Sequence, residues 1–268
     1  MMRIAFMGTP QFAVPSLAAL LDAGHDVVGA FTQPDRPAGR GNRMAISPVK
    51  ALALARGVPV FQFERIRRKE GVEALRALAP DLCVTAAFGQ ILSQKLLDIP
   101  PMGTLNVHAS LLPRHRGAAP INWCIAMGDR VAGVTIMFTD AGLDTGDIAL
   151  MRETEIGPEE TADQLTERLS HLGAELLLEA MAMARDGCCP RVPQDIARST
   201  YEPMLTREMG RIDWNRPATE LACMVRGFNP WPGAYAMLGD APLKVWMARP
   251  LDGTVASQPG EVVLSDPR

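Results

Sequence analysis

The sequence has few aromatic residues, no long apolar run and no excess of positive charge, and each of these absences excludes or disfavours a class of function. Aromatic residues make up 5% of the 268 residues, which argues against an extended base-stacking surface. No run approaches the roughly 18–20 apolar residues of a transmembrane helix, and the apolar start MMRIAFMG is too short for a secretory signal. The formal net charge is −3, so a nucleic-acid partner would have to be bound by a local basic patch.

Motifs for metal binding, covalent catalysis and dinucleotide binding are also missing. The five cysteines are scattered, and the adjacent pair Cys188 and Cys189 does not form a CxxC motif. We therefore predict reduced thiols in a cytoplasmic protein, with no metal. No Ser or Cys occupies a GxSxG elbow. Gly8 follows the first strand-like run, but GxGxxG is absent, which disfavours NAD(P) binding.

The first half of the chain alternates strand-like and helix-like segments. The predicted strands are Arg3–Met7, Asp26–Phe31, Val58–Phe61, Leu82–Ala86, Thr104–His108, Val131–Phe138 and Ile148–Glu153. The predicted helices are Phe12–Leu21, Pro48–Ala55, Gly71–Leu78, Ile91–Leu97, Pro120–Met127 and Glu159–Asp186. This rhythm predicts an α/β fold with a Rossmann-like, parallel or mixed sheet covered by helices.

Composition shifts divide the chain into three parts. Residues 1–187 are predicted to form the α/β domain, and residues 188–205, rich in Pro and polar residues, a linker. Residues 206–268 contain short strand-like runs interrupted by Gly and Pro, which indicates a small β domain. We interpret its tryptophans as core residues rather than a base-stacking surface; they are Trp214, Trp231 and Trp246.

The strand Thr104–His108 places two polar side chains at a sheet end. Asn106 and His108 are two residues apart, so they point to the same face of the strand. Ligands of open α/β sheets bind outside the carboxyl ends of the strands. A functional site is therefore one interpretation, and a structural pair making local hydrogen bonds is the other.

A glycine-rich loop between two predicted strands, FTDAGLDTGDI, has three carboxylates. Asp140 and Asp147 are interpreted as residues that cap backbone groups of the turn. Asp144 lies in mid-loop, where it could orient His108 and stabilise its protonated form. With Asn106 as a donor for an oxyanion, such a set suits addition of an external nucleophile to a carbonyl.

The segment Gln33–Lys50, which we call the basic arm, is long for a loop after a strand. It has four basic residues, among them Arg36, Arg40 and Arg43, against the single carboxylate of Asp35. A solvated loop is one explanation of this composition. The other is a segment that contacts phosphates.

These residues resemble the methionyl-tRNA formyltransferase family of 10-formyltetrahydrofolate enzymes. The motifs are RIAFMGTPQFAVPSL, FTQPDRPAGRG with SPVK, NVHASLLPRHRGAAPI, GVTIMFTDAGLDTGDI and RGFNPWPGAY, and they extend over essentially the whole chain. The resemblance implies a formyltransferase catalytic domain followed by an OB-like β-barrel. Measured against the family, 268 residues are short, and we expect the barrel to be incomplete.

The resemblance also implies roles for individual residues. Asn106, His108 and Asp144 correspond to catalytic positions. The implied folate contacts are Ser110, Leu111, Leu112, Pro113, Phe88, Gly89, Gln90, Gly142 and Leu143. Arg40 corresponds to a tRNA-binding arginine, with Arg36 and Arg43 beside it. The implied substrates are 10-formyltetrahydrofolate and initiator methionyl-tRNA, and we expect a monomer without membrane association.

Two alternatives remain open at this point. One is a related folate enzyme that formylates a small amine or hydrolyses the formyl donor, which the basic arm disfavours. The other is a non-catalytic tRNA-binding protein, which the intact set of Asn106, His108 and Asp144 disfavours.

Overall fold

The computed structural model of the protein describes residues 2–38, 43–253 and 257–263. The strands are β1 (Arg3–Gly8), β2 (Asp26–Thr32), β3 (Arg36–Ala38), β4 (Arg43–Ala45), β5 (Val60–Gln62), β6 (Leu82–Ala86), β7 (Thr104–His108), β8 (Arg116–Gly117), β9 (Val131–Phe138), β10 (Ile148–Glu155), β11 (Tyr201–Glu202), β12 (Ala234–Leu238) and β13 (Ala241–Val245). The α-helices are α1 (Val14–Asp22), α2 (Pro48–Ala55), α3 (Lys69–Leu78), α4 (Gln94–Leu97), α5 (Pro120–Ala126), α6 (Ala162–Arg185) and α7 (Ala218–Gly227). Short 3₁₀ helices lie at Gln11–Ala13, Ile196–Arg198 and Glu208–Gly210.

Within the described ranges, seven strands form one sheet in the order β10-β9-β7-β6-β1-β2-β5. Five neighbouring strands of this sheet run parallel to one another, namely β5, β2, β1, β6 and β7. Strand β9 runs antiparallel to β7. Every residue of β1 after Arg3 is buried, as expected where helices cover both faces of a parallel sheet. Strand β10 lies at the edge of the sheet, and exposed and less exposed residues alternate along most of it, as expected for a strand with one face toward solvent. The predicted α/β class with a mostly parallel sheet is confirmed.

Several element boundaries agree with the sequence predictions at both ends, namely those of α2, β6, β7 and β9. Helix α2 begins where predicted because the Ser47 hydroxyl accepts a hydrogen bond from the Lys50 backbone N–H and Pro48 occupies the first turn. Helix α6 begins at Ala162, later than predicted. Thr161 and Gln164 exchange hydrogen bonds there in a capping box, which fixes the first turn.

The chain divides into two compact units. The first contains the residues up to Gly117, then Gly133–Thr154 and Thr166–Tyr201, and it includes nearly all of the large sheet. The second contains Ala118–Ala132, Glu155–Leu165 and the residues from Glu202 onward. Among the described residues, no helix is both long and apolar enough to span a bilayer.

The core of the second unit forms where α7 packs on α5. A side chain at Gly227 would lie 2.7 Å from backbone atoms of Asn122 and Ala126, so the close helix contact requires glycine there. The Asn122 amide donates to the Gly227 carbonyl at 2.8 Å, and the ring of Trp123 meets that of Phe228 edge-on. The helix pair and the β12–β13 hairpin enclose one apolar cluster, which contains Leu205, Ile212, Leu221, Met224, Val225, Phe228, Ala234 and Ala236.

The interpretation of three tryptophans as core residues of this region is wrong. Trp214, Trp231 and Trp246 are 44%, 55% and 54% exposed, and none of them is among the buried residues of this cluster. Helix α7 was also not predicted, since the Gly and Pro residues around it obscured its period. The described part of residues 206–263 has α7 and the β12–β13 hairpin, and the barrel remains a prediction.

Candidate active site

Strand β7 fixes the orientation of Asn106. Its Oδ1 accepts a hydrogen bond of 2.8 Å from the Thr85 hydroxyl, and Thr85 is the register partner of Asn106 on β6. Because the amide oxygen is used inside the sheet, the Nδ2 group is the part of Asn106 that can donate to another acceptor. The role of Asn106 as a donor stays a prediction, and the sequence did not indicate Thr85 as its partner.

His108 is buried and faces acceptor atoms at both ring nitrogens. Its Nε2 lies 3.1 Å from the His115 carbonyl oxygen, and its Nδ1 lies 3.6 Å from Asp144 Oδ1. The distance at Nε2 is that of a hydrogen bond. The distance at Nδ1 is within the range of an ion pair but longer than a hydrogen bond. An imidazolium can donate from both nitrogens, so this arrangement suits the protonated ring.

Asp144 is held at its carboxylate and at its backbone. Its Oδ2 accepts from the Gly117 N–H at 2.9 Å while its Oδ1 faces His108. Its φ of 53° is in the left-handed region, which a non-glycine residue occupies only when its surroundings impose it. The pairing of Asp144 with His108, expected from sequence, is present in the structure.

The rest of the loop at residues 139–147, which we call the Asp144 loop, is organised by its own side chains. Asp140 Oδ1 accepts from the Gly142 N–H at 3.0 Å and from the Thr145 hydroxyl at 2.8 Å, which confirms the capping interpretation for this residue. Gly146 lies against the end of β9, where an added Cβ would be 1.8 Å from the Phe138 carbonyl oxygen. The loop can therefore close tightly only with glycine at this position.

The segment Ser110–Pro113 is tied to β9. Ser110 uses its hydroxyl to donate to the Arg114 carbonyl at 2.7 Å, while its own carbonyl accepts from the Thr135 hydroxyl at 2.6 Å. The Leu112 N–H donates to the same Thr135 oxygen at 3.2 Å. Ser110 and Leu112 are buried, whereas Leu111 and Pro113 are partly exposed and are the members that could reach a ligand.

Three more residues that the resemblance assigned to folate make internal contacts, namely Phe88, Gly89 and Gln90. Phe88 belongs to an apolar core cluster of the first unit. The carbonyls of Phe88 and Gly89 accept from the Gln33 side chain at 3.3 and 3.1 Å. Gln90 accepts from the Ile66 N–H and donates to the Phe63 carbonyl, both at 2.7 Å. In the Asp144 loop, Leu143 is 53% exposed.

The basic arm begins and ends in a polar network. Asp35 accepts hydrogen bonds from Lys50 at 2.5 Å and from Gln62 at 2.8 Å, and the Lys50 ammonium also donates to Gln62 Oε1. The hydrogen bond from Lys50, followed by that from Gln62, lowers the pKa of the Asp35 carboxyl. Beyond this network the arm forms the β3–β4 hairpin, which was not predicted.

Two of the three arginines proposed from sequence lie in the strands of this hairpin. Arg36 is in β3, with its side chain 66% exposed and paired to Glu64 at 3.0 Å. Arg43 begins β4. Arg40 lies outside the described residues.

Two further residues of the site, Gln194 and Arg116, were missed as site residues. Gln194 Nε2 donates to the carbonyls of Asp144 and Gly146, and its Oε1 accepts two hydrogen bonds from Arg116. Gln194 is in the segment interpreted as a linker, and its sequence neighbourhood has no signal for a site residue. Arg116 is within the NVHASLLPRHRGAAPI motif, but nothing in that motif assigns it a contact.

The described residues offer no group of three or more His, Cys, Asp or Glu side chains that could hold a metal ion. Burial raises the pKa of the Cys83 thiol to about 12, so this cysteine is a neutral core residue near neutral pH. Polar donors and a histidine–carboxylate pair, rather than a thiolate, thus characterise the site.

Known proteins resemble this chain along both of its parts. The formyl transferase model matches residues 2–181, and the model of the formyl transferase C-terminal domain matches residues 204–268. The methionyl-tRNA formyltransferase of Ruminiclostridium cellulolyticum is 48% identical over 99% of this chain and 86% of the relative. That of Trichlorobacter lovleyi is 51% identical over 97% of this chain and 82% of the relative.

Solved structures show the same fold at low sequence identity. A 4-N formyltransferase from Francisella tularensis matches with a TM-score of 0.72 and 17% identity, covering 94% of this chain and 99% of that one. An N-formyltransferase from Helicobacter canadensis, in complex with folinic acid and dTDP-3-aminofucose, has a TM-score of 0.69 and 18% identity over 92% of this chain and 87% of its own. At such identity the likeness concerns the fold alone. The two family models and the relatives at about half identity show that the chain belongs to the methionyl-tRNA formyltransferase family of formyl transferases.

Proposed function

We propose that this chain transfers the formyl group of 10-formyltetrahydrofolate to the α-amino group of initiator methionyl-tRNA. The products are N-formylmethionyl-tRNA and tetrahydrofolate. The observation that carries this proposal is the 48–51% identity to methionyl-tRNA formyltransferases over 97–99% of the chain. A folate donor is supported by the folinic acid bound to the Helicobacter canadensis enzyme. We propose a monomer that acts in the cytoplasm.

The reaction begins with the free-base form of the α-amino group. An α-amino group has an ordinary pKa of about 7.7–8.0, so a usable fraction is neutral near neutral pH. The nitrogen lone pair attacks the formyl carbon, a C–N bond forms, and the carbonyl electrons move onto oxygen. Collapse of this tetrahedral intermediate breaks the bond from carbon to N10. The amine loses one proton, and N10 gains one.

Each of the three site residues is assigned a role in this reaction. We assign to Asn106 Nδ2 a hydrogen bond to the oxyanion, a role supported by the contact from Thr85 that holds its amide oxygen. His108 donates its Nε2–H to the same oxyanion in exchange for the His115 carbonyl. Asp144 stabilises the imidazolium across the present 3.6 Å separation and assists, through water, the proton transfer to N10.

Substrate contacts are proposed on both sides of this set. We assign the folate to the segment Ser110–Pro113, with contributions from residues 88–90 and from Gly142 and Leu143. We assign phosphates of the tRNA to the basic arm through Arg36, Arg40 and Arg43. The exposed position of Arg36 supports that role, because an accessible guanidinium can exchange its ion pair with Glu64 for a phosphate.

The division of the chain follows the same proposal. Residues 1–187 are proposed as the catalytic domain, 188–205 as the connecting segment, and 206–268 as a C-terminal domain of OB-like type. The ranges of the two family models, 2–181 and 204–268, support these limits.

A direct assay tests the proposed function. The protein is incubated with 10-formyltetrahydrofolate and charged initiator tRNA, and formylmethionyl-tRNA is quantified. A parallel reaction offers a dTDP-amino sugar, because the N-formyltransferase of Helicobacter canadensis was solved in complex with dTDP-3-aminofucose. Formylation of the tRNA alone is the expected result. Formylation of the small amine without any tRNA product would contradict the proposal.

A further inference from the structure

We infer that Gln194 and Arg116 are positioning residues that hold the Asp144 loop in its working geometry. The inference rests on the proposed function, because it assigns these residues to the reaction through Asp144. Neither side chain is proposed to touch a substrate. Both lie in the first unit, and Gln194 comes from the segment that the sequence suggested was a linker.

The side-chain amide of Gln194 makes four hydrogen bonds in two directions. Its Nε2 donates to the Asp144 carbonyl at 2.9 Å and to the Gly146 carbonyl at 2.7 Å. Its Oε1 accepts from Arg116 Nε at 3.1 Å and Nη2 at 2.6 Å. The donor end therefore binds the Asp144 loop, and the acceptor end binds a buried arginine.

The segment 115–117, which includes β8, contacts both members of the histidine–carboxylate pair. The His115 carbonyl lies against His108 Nε2, and the Gly117 N–H donates to Asp144 Oδ2. Arg116, between them, reaches the Asp144 carbonyl through Gln194. Three consecutive residues thus fix the imidazole, the carboxylate and the backbone of the loop relative to one another.

Asp144 needs such support because its backbone is in the left-handed region, at a φ of 53°. A non-glycine residue leaves that region when its contacts are lost. Rotation there would displace the carboxylate from His108, and a misplacement of about 1 Å can lower a rate on the order of 10²-fold. The residues near Gln194 are also anchored, since Val192 exchanges two backbone hydrogen bonds with Ile148 and the Thr200 hydroxyl accepts from His115 N–H.

The Gln194→Glu variant separates the two ends of the amide. It retains an acceptor for Arg116, but it replaces the donor by an oxygen that faces two carbonyl oxygens. We expect kcat for formyl transfer to fall roughly 10- to 100-fold, with both KM values within about twofold of the wild type. The matched control is Gln164→Glu, where an exposed Oε1 acts as acceptor in a helix cap and the exchange should leave kcat unchanged.

Dependence on Asp144 distinguishes positioning from a general loss of stability. Introduced into an Asp144→Asn background, Gln194→Glu should lower kcat much less than it does in the wild type, because the two residues act in one chain of contacts. Arg116→Lys, which loses the two-point contact, should give an intermediate loss. An equal loss of kcat in both backgrounds, or full activity of Gln194→Glu beside an active wild type, would overturn the inference.

A second readout keeps the inference testable if the proposed function fails. Amide hydrogen exchange in residues 139–147 should accelerate in Gln194→Glu and not in Gln164→Glu. An inactive wild type would contradict the proposed function alone. Unchanged exchange in this loop would overturn the positioning role whatever the reaction.

Discussion

The Asp144 loop and the basic arm are both connections in the first unit, but their residues are held in different ways. Asp144 is contacted through its carboxylate by Gly117, through its carbonyl by Gln194, and across an ion-pair distance by His108. The arm is held at its base, where Asp35 meets Lys50 and Gln62, while Arg36 beyond it is largely exposed.

The difference matches what each segment is proposed to do. A group that stabilises a transition state must be placed to a fraction of an ångström before the substrate arrives. A guanidinium that attracts phosphates acts over several ångströms, since charges interact across a screening length of about 8 Å at physiological salt. The Asp144 loop therefore needs many contacts to fix its catalytic group, whereas the basic arm benefits from exposed side chains.

The largest expected effect comes from Asn106→Ala. Removal of one oxyanion donor costs about 2.7–4 kcal/mol in other enzymes, a loss of roughly 10²–10³-fold in kcat. The protein should remain folded because Asn106 is partly exposed and Thr85 can keep its second contact, with the Leu105 carbonyl. Steady-state formylation with thermal unfolding as the control measures this, and turnover near that of the wild type would remove Asn106 from the mechanism.

Gly146→Ala should disrupt the Asp144 loop as a whole. The added Cβ would collide with the Phe138 carbonyl at 1.8 Å, so we expect the free energy of unfolding to fall by about 1–3 kcal/mol and formylation to be largely lost.

The control for Gly146→Ala is Gly24→Ala, at a glycine with a φ of 76° and no atom within 4 Å of an added Cβ. It should lower stability through backbone strain and leave kcat unchanged. Denaturant unfolding and kcat are measured on both variants. Normal kcat in Gly146→Ala would show that the loop tolerates displacement.

Arg40→Ala tests the other member of the comparison. We expect KM for methionyl-tRNA to rise roughly tenfold, equivalent to about 1.4 kcal/mol, and the salt dependence of binding to weaken by about one ion. KM for the folate should not change. Arg56→Ala, an exposed arginine that follows α2 outside the arm, is the control. Equal losses in tRNA and folate use would contradict a role of the arm in tRNA binding.

The smallest expected effect concerns the base of the arm. Because hydrogen bonds from Lys50 and Gln62 lower the pKa of Asp35 in the folded state, the unfolded chain binds a proton at this group at higher pH than the folded chain does. The stabilisation is therefore complete above the ordinary carboxyl pKa of about 3.9 and is lost as pH falls below it.

The Asp35→Asn variant should consequently have a slightly lower melting temperature than the wild type at pH 7. The two proteins should converge on acidification below the ordinary carboxyl range. A melting-temperature series across pH measures the difference. A gap that persists unchanged at low pH would show that the charge of Asp35 is not its source.

Local sequence patterns predicted the strands of the sheet well. They did not predict features that depend on contacts between distant residues. Strands such as Leu82–Ala86 and Thr104–His108 are marked by short apolar runs between turns, and the structure has the same limits. Helix α7 lies between Gly- and Pro-rich segments that suggested strands. The exposed positions of Trp214, Trp231 and Trp246 depend on which residues fill the core, and composition does not specify that.

The residues of the candidate site were also predicted in part from local patterns. Asn106, His108 and Asp144 follow from residue type and position on a strand and a loop, and the structure brings His108 and Asp144 together. Gln194 was not predictable because it contacts Asp144 across 50 positions of sequence, with no motif around it. Arg40 and its neighbours remain predictions that rest on charge and resemblance.

The most direct test of the contrast between the two segments is a single-turnover formylation assay at saturating methionyl-tRNA. We expect Asn106→Ala to slow the transfer step by roughly 10²–10³-fold. Arg40→Ala, once saturated, should proceed within about twofold of the wild-type rate, as expected when uniform binding energy is lost. A saturated Arg40→Ala enzyme as slow as Asn106→Ala would contradict this contrast.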